Sequence, residues 1–316
     1  MRNAFGVPEL RRDYFTDRLT LTNIDRSVRG TDIAAEEEPD TKCFVCDYVD
    51  SSKSKPSLPL IIEHTNSLSV NEVSDKSPQN NTHHVLVANL DHDSSFQKLP
   101  VDGISKLLSV AQENIKSQYG RKDNFVLLLA RYGNAAGGIL HPSLEMLTLP
   151  EIPSVIMEEM AAVERSMQDL GICPMCRVIS VEQGGPRQLI STEHFIAFAP
   201  WAPTSSYEFW IYPKSHDSSF LSTSSRVIND LALILRSTLG GMQRELDKVP
   251  FSMSFHSINE KMGNDYHWHI EVHPMLKTWG SIEKGLGVFV NDISPEMTGE
   301  VLGRAARKEL AELVGI

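Results

Sequence analysis

Three polar side chains at alternate positions, His141, Ser143 and Glu145, lie in the stretch 134–153, NAAGGILHPSLEMLTLPEIP. In a strand, period-two alternation puts all three on one face. An imidazole, a hydroxyl and a carboxylate side by side can ligate a metal, accept a proton or orient an attacking group. Just before them, Ala135, Ala136, Gly137 and Gly138 let the backbone come close to a ligand. A surface strand with one polar face would show the same alternation.

The four cysteines form two CxxC pairs, Cys43/Cys46 and Cys173/Cys176. One such pair is moderately specific, because a zinc site needs two more ligands. The pentapeptide HDSSF occurs twice, at 92–96 and 216–220, 124 residues apart. Cys43 and Cys173 are 130 apart, and His141 and His267 are 126 apart. Landmarks in the same order at nearly equal offsets indicate a duplicated unit. The order Cys, Cys, His, His then recurs as Cys43, Cys46, His92, His141 and as Cys173, Cys176, His216, His267. Two thiolates and two imidazoles suit tetrahedral zinc. The expectation is one Zn2+ per chain in the first set, with the second set a candidate for another.

The elements that must hold these residues follow from periodicity. Segments 101–119 and 227–246 have helical apolar spacing, as do 154–168 and 295–315. Segments 83–92, 124–132, 194–200, 207–213, 251–256, 266–274 and 285–290 read as strands. Residues 9–29 read as a strand running into a basic segment with Arg26 and Arg29. On spacing alone that segment is a solvated edge, the alternative being an arginine pair for phosphate. The reading is an α+β protein with two units, 1–168 and 169–316.

Composition narrows the function classes. The 316 residues are 41% hydrophobic and 22% charged, with a net charge of −11. That is globular composition, and the charge disfavours nucleic acid as a partner. No run of eighteen apolar residues and no apolar h-region at the start are seen, so a cytoplasmic protein without membrane contact is expected. In that setting paired cysteines favour metal over disulfide.

The motifs ELRRD, CFVC, LDHDSS, GNAAGGILHPS, CPMC, HFIAFAPWAP, YEFWIYPKSH, YHWHIEVHP and GLGVFVNDISPE occur in this order over most of the chain. In them the chain resembles the galactose-1-phosphate uridylyltransferase family, within the histidine-triad superfamily. The resemblance implies two tandem histidine-triad-like α+β repeats, each an antiparallel sheet with packed helices, and a homodimer. It implies a structural zinc at Cys43, Cys46, His92 and His141. Asn134, Gly137 and Gly138 fall on its phosphate-cradling loop, and Arg26 and Arg29 on phosphate-contacting arginines. Glu159, His256, His267 and His269 resemble a second metal site of some members, which would compete for His267.

The family's active strand reads His-Pro-His-x-Gln, and its second histidine attacks the α-phosphate. Here Ser143 stands at the nucleophile and Glu145 at the glutamine. A serine hydroxyl is a far weaker nucleophile without a base, and a carboxylate repels phosphate unless neutralised by a proton or a metal. The expected function is therefore a nucleotidyltransferase-like enzyme on nucleotide sugars or sugar 1-phosphates without the nucleotidyl-histidine intermediate. Ser143 or Glu145 would orient or deprotonate the attacking group. The alternatives are an inactive nucleotide- or sugar-phosphate-binding protein, a phosphorylase or hydrolase of nucleotide sugars, or His269 as nucleophile in the second repeat.

Overall fold

A computed structural model describes residues 9–22, 43–52, 56–63, 83–92, 94–119, 125–136, 141–149, 151–259, 262 and 265–315. The first half supplies α1 (Phe44–Ser51), β3 (Leu60–Glu63), β4 (His83–Val87), α2 (Val101–Tyr119), β5 (Phe125–Tyr132) and β6 (Ser143–Leu149), preceded by β1 (Glu9–Arg12) and β2 (Leu19–Thr22). Helix α3 (Ser154–Leu170) follows and ends at Gly171, whose φ of 65° is left-handed. The second half supplies α4 (Pro174–Glu182), β7 (Gln188–Ser191), β8 (Phe195–Phe198), β9 (Phe209–Pro213), α5 (Ser225–Leu246), β10 (Phe251–His256) and β11 (His269–Pro274). Helix α6 (Ser281–Leu286), β12 (Val288–Val290) and α7 (Pro295–Val314) close the chain.

Nine strands make one sheet in the order β3-β4-β6-β5-β10-β11-β9-β8-β7, and its pairs are antiparallel. Read outward from the β5–β10 seam, the sheet runs β5-β6-β4-β3 on one side and β10-β11-β9-β8 on the other, with β7 added at the outer edge of the second side. The two HDSSF pentapeptides sit alike, each running into a short 3-10 turn that begins at its buried phenylalanine, Phe96 or Phe220.

One face of the sheet carries the main core. Leu128, Ala130, Leu144, Met146, Met253, Phe255, Ile270 and Val272 point to α2 and α5, which bury Ile104, Leu107, Leu108, Leu231, Leu235 and Leu239 against them. Helix α7 packs on α5 at Gly241, where an added Cβ would lie 2.6 Å from the Ala306 nitrogen, so the close approach requires glycine. On the other face α1 covers the outer strands, Val45 packing on Leu60, Ile62, Val85 and Val87. At the opposite end Met175 and Ile179 of α4 pack on Ile196, Phe198, Trp210 and Tyr212.

Two segments differ from the sequence reading. Residues 9–22 form a hairpin rather than one strand, because the Asp13 carboxylate accepts from the Phe15 and Thr16 amides and turns the chain. In 285–290 only β12 is extended. The first two residues finish α6, and Gly287 caps it at φ 65°. β12 then joins β2 in parallel, making a separate three-stranded sheet with β1.

Candidate active site and metal centres

Each CxxC pair opens a helix, Cys43 preceding α1 and Cys173 preceding α4. That geometry turns both sulfurs of a pair toward one point. In the first set Cys46 Sγ lies 3.5 Å from His92 Nδ1 and 3.4 Å from His141 Nε2, and the two nitrogens are 3.3 Å apart. In the second, Cys176 Sγ lies 3.5 Å from His216 Nδ1 and 3.6 Å from His267 Nδ1, with Cys173 Sγ 3.9 Å from the latter. Metal bonds of about 2.3 Å to sulfur and about 2.0 Å to nitrogen give a tetrahedron with S···N edges of about 3.5 Å and N···N edges of about 3.3 Å. The Cys46–His92, Cys46–His141 and His92–His141 edges match, as do the two Cys176–histidine edges, and the Cys173–His267 contact is longer.

Outer contacts fix the tautomers. His141 Nδ1 donates to the Asn89 carbonyl at 3.2 Å, leaving Nε2 for a metal. His267 Nε2 donates to the Pro213 carbonyl at 2.9 Å, leaving Nδ1. Burial and the neighbouring His216 and His269 push the His267 pKa down to about 3, so its ring is neutral. Without a cation, burial and the paired thiols of Cys43 and Cys173 push Cys46 and Cys176 up to about 11. Thiols of that kind ionise when a cation is bound.

A third cluster lies beneath α3. Glu159, His256, His269 and Glu271 bring one ligand atom each within 4.8 Å of the others, and all four are buried. His267, which the sequence offered to both ligand sets, lies with the thiols, and Glu271 stands with Glu159, His256 and His269. His269 Nδ1 is held by the His267 carbonyl at 3.3 Å, and its Nε2 is buried without a hydrogen-bond partner. That nitrogen faces the Glu271 carboxylate at 3.6 Å. Tyr212 stacks on the His269 ring at 4.5 Å, and His269 is 2% exposed, its ring lying within the carboxylate–imidazole cluster.

Burial opposes a charge on His256, but the Glu159 and Glu271 carboxylates outweigh it and raise its pKa to about 8. A metal ion at this cluster must displace that proton. Cation binding is therefore expected to strengthen by up to about tenfold per unit as the pH rises from about 6 to about 8, and to level off above. Manganese titration of zinc-loaded protein, followed by electron paramagnetic resonance across that range, checks this. A pH-independent affinity would contradict it.

On the second face Leu127, Leu129 and Arg131 of β5 and Ser252 and Ser254 of β10 are half-buried, and they form a partly open strip, the trough, beside β6. Cross-strand register runs Val85, Glu145, Leu129, Ser254, Glu271, Trp210 in one row. Glu145 and Glu271, the matching positions of the two halves, are thus three strands apart, about 14 Å. At the first-half end Arg131 holds Glu145 bidentately, Nε to Oε1 at 2.9 Å and Nη2 to Oε2 at 2.6 Å. His83 Nε2 reaches Oε2 at 2.9 Å. Burial alone would raise the Glu145 pKa, but the bonds from His83 and Arg131 prevail and lower it. The repulsion expected of this carboxylate is offset by a guanidinium, neither a proton nor a metal.

Strand β6 begins at Ser143, so His141 stands ahead of it and turns to Cys46, while Ser143 and Glu145 share the trough face. Ser143 is 1% exposed, and its hydroxyl has no hydrogen-bond partner among the described residues. Arg26, Arg29, Gly137 and Gly138 lie outside the described residues. Asn134 opens a 3-10 turn at the end of β5, its side chain likewise outside. Arg131 and His83 were missed in the sequence. The signal for Arg131 was a lone cation in the apolar run FVLLLARY.

No family model matches the chain. It is 25% identical over 328 residues to ADP-glucose phosphorylase of Arabidopsis thaliana, covering 93% of this chain and 92% of the relative. It is 28% identical over 225 residues to galactose-1-phosphate uridylyltransferase of Thermotoga maritima, covering 67% and 70%. Among solved structures, an ADP-glucose phosphorylase from Arabidopsis thaliana with bound ADP-glucose superposes with a TM-score of 0.78 at 23% identity, covering 94% of this chain and 98% of that one. The chain thus has homologues named galactose-1-phosphate uridylyltransferase and ADP-glucose phosphorylase, both enzymes, and shares their α+β fold.

Proposed function

We propose that this homologue of the galactose-1-phosphate uridylyltransferases acts on nucleotide sugars, transferring the nucleotidyl group to phosphate or a sugar 1-phosphate by single displacement. The acceptor oxygen attacks the α-phosphorus, the bond to the bridging oxygen breaks, and a sugar 1-phosphate leaves. The observation that carries the reading is Ser143. Its hydroxyl, 1% exposed, has no hydrogen-bond partner among the described residues, so none of them activates it as a nucleophile. To Glu145, ionised at neutral pH and two residues along the same face, the proposal gives the acceptor's proton once the anionic substrate has drawn Arg131 away. The relatives' substrates support the substrate class, and Leu129 and the Ser252 and Ser254 hydroxyls suit a polar ligand with an apolar face.

The same proposal assigns zinc to Cys43, Cys46, His92 and His141, and to Cys173, Cys176, His216 and His267, as structural ions. The same order of four strands on either side of the β5–β10 seam, with β7 extra in the second half, supports descent of the halves, 1–168 and 169–316, from one duplicated unit. The substrate-contacting roles of Arg26, Arg29, Asn134, Gly137 and Gly138, and a homodimeric state, belong to the proposal on resemblance alone.

Phosphorus NMR tests it. Protein incubated with ADP-glucose, UDP-glucose or UDP-galactose plus phosphate is expected to release a nucleoside diphosphate and a hexose 1-phosphate from one of them. Spectra unchanged across the panel, with phosphate and with hexose 1-phosphate as acceptor, would refute it.

A further inference from the structure

We propose that Arg131 is the phosphate-gripping side chain of the trough and that Glu145 is its internal stand-in for phosphate, displaced when an anionic ligand arrives. The inference rests on the reading of the trough as a nucleotide-sugar site. The pair is a fork-to-fork contact, two N–H donors of one guanidinium on two oxygens of one carboxylate. A phosphate also presents two oxygens to a guanidinium fork, so the two anions can exchange as bidentate partners of arginine.

Access is unequal in the way an exchange requires. The Glu145 side chain is 6% exposed and lies on the floor, whereas Arg131 keeps 39% of its side chain exposed. An anion can therefore reach the guanidinium before the carboxylate lets go. Displacement does not orphan Glu145, because His83 Nε2 holds its Oε2 from β4, on the side away from Arg131. Arg131 also has Ser252 as its cross-strand neighbour, a half-buried hydroxyl on the incoming anion's side. In the ligand-free protein the carboxylate keeps a strong anion site neutral, and it remains next to the bound phosphate after exchange.

Pyrophosphate is the probe, with binding read by calorimetry. Glu145→Gln removes the internal competitor and is expected to tighten pyrophosphate binding about tenfold or more. Adding Arg131→Met should abolish the gain. Adding Arg131→Lys, which keeps the charge and loses the fork, should retain only part of it. Unchanged affinity in Glu145→Gln, or a gain that survives Arg131→Met, would overturn the proposal. Wild-type protein gives a second measurement that depends on no variant's folding. In nitrogen-15 arginine-labelled protein the Arg131 Nε–H resonance should move during a pyrophosphate titration, and a resonance that stays in place at saturation would overturn the exchange. Neither measurement needs turnover. A protein inactive on every nucleotide sugar can still pass them, and an active one can fail them, so the two readings fall separately.

Discussion

Replacing Cys46 or Cys176 by serine is expected to remove one zinc ion per chain and to lower stability by about 4 kcal/mol or more, a loss of the size seen when a structural metal goes. Each set draws its ligands from separated parts of its half. Cys43 and Cys46 come from the start of α1, His92 from the segment after β4, and His141 from the approach to β6. A shared ion would tie these to one point and ionise the Cys46 thiol, which without it is held protonated by burial and by Cys43. Loss of the ion leaves three polar groups facing one another, with His141 buried beside them. The second set should respond more strongly. Its Cys173 and His267 are both buried, and it anchors α4 over Trp210 and Tyr212. Elemental analysis of chelator-washed variants and thermal unfolding read both effects. Unchanged zinc content in Cys176→Ser would withdraw the second ion.

The second large effect is catalytic. Glu145→Gln is expected to lower kcat by about a hundredfold or more, the usual worth of a positioned base. Binding of the anionic substrate should strengthen at the same time, because Arg131 is released. Opposite movement of kcat and affinity separates this residue from one that only supports the fold. Ser143→Ala should leave kcat within about a factor of two. It should also leave stability unchanged or slightly raised, since it removes a buried hydroxyl that has no partner. Steady-state kinetics on the substrate found by phosphorus NMR checks both. A large loss in Ser143→Ala would return the serine to the chemistry. Restoring the family strand, Ser143→His with Glu145→Gln, asks whether the rest of the trough still supports a covalent route.

Much of this was legible in the sequence because it depends on order and period. The Cys, Cys, His, His order recurs at nearly constant offset, and both sets close in space as that order requires. Residues 101–119 and 251–256 carry a clean helical or strand period, and α2 and β10 occupy those limits. Other elements left little signal. Helices α1, α4 and α6 are eight, nine and six residues long, too short for a hydrophobic period to stand out. Strands β3 and β7 have four residues each. The site was harder still, because it is written in register. Nothing in the spacing of Arg131 and Glu145 states that β5 and β6 pair so as to bring them together. Glu271 was visible as the partner of Glu145 in the repeat, yet its place beside Glu159 and His256 depends on where α3 crosses the sheet. His267 was claimed by two ligand sets, and only the three-dimensional fold assigns it to the thiols.

The central claim is that transfer at the α-phosphorus takes place in one step, with no nucleotide on the enzyme. Stereochemistry tests it most directly. A nucleotide sugar carrying sulfur at the α-phosphorus in a single configuration is turned over with phosphate as acceptor, and the product's configuration is read. One displacement inverts the phosphorus centre, so inversion is the predicted result. Retention would mean two displacements through a covalent nucleotidyl-enzyme, and would contradict the account.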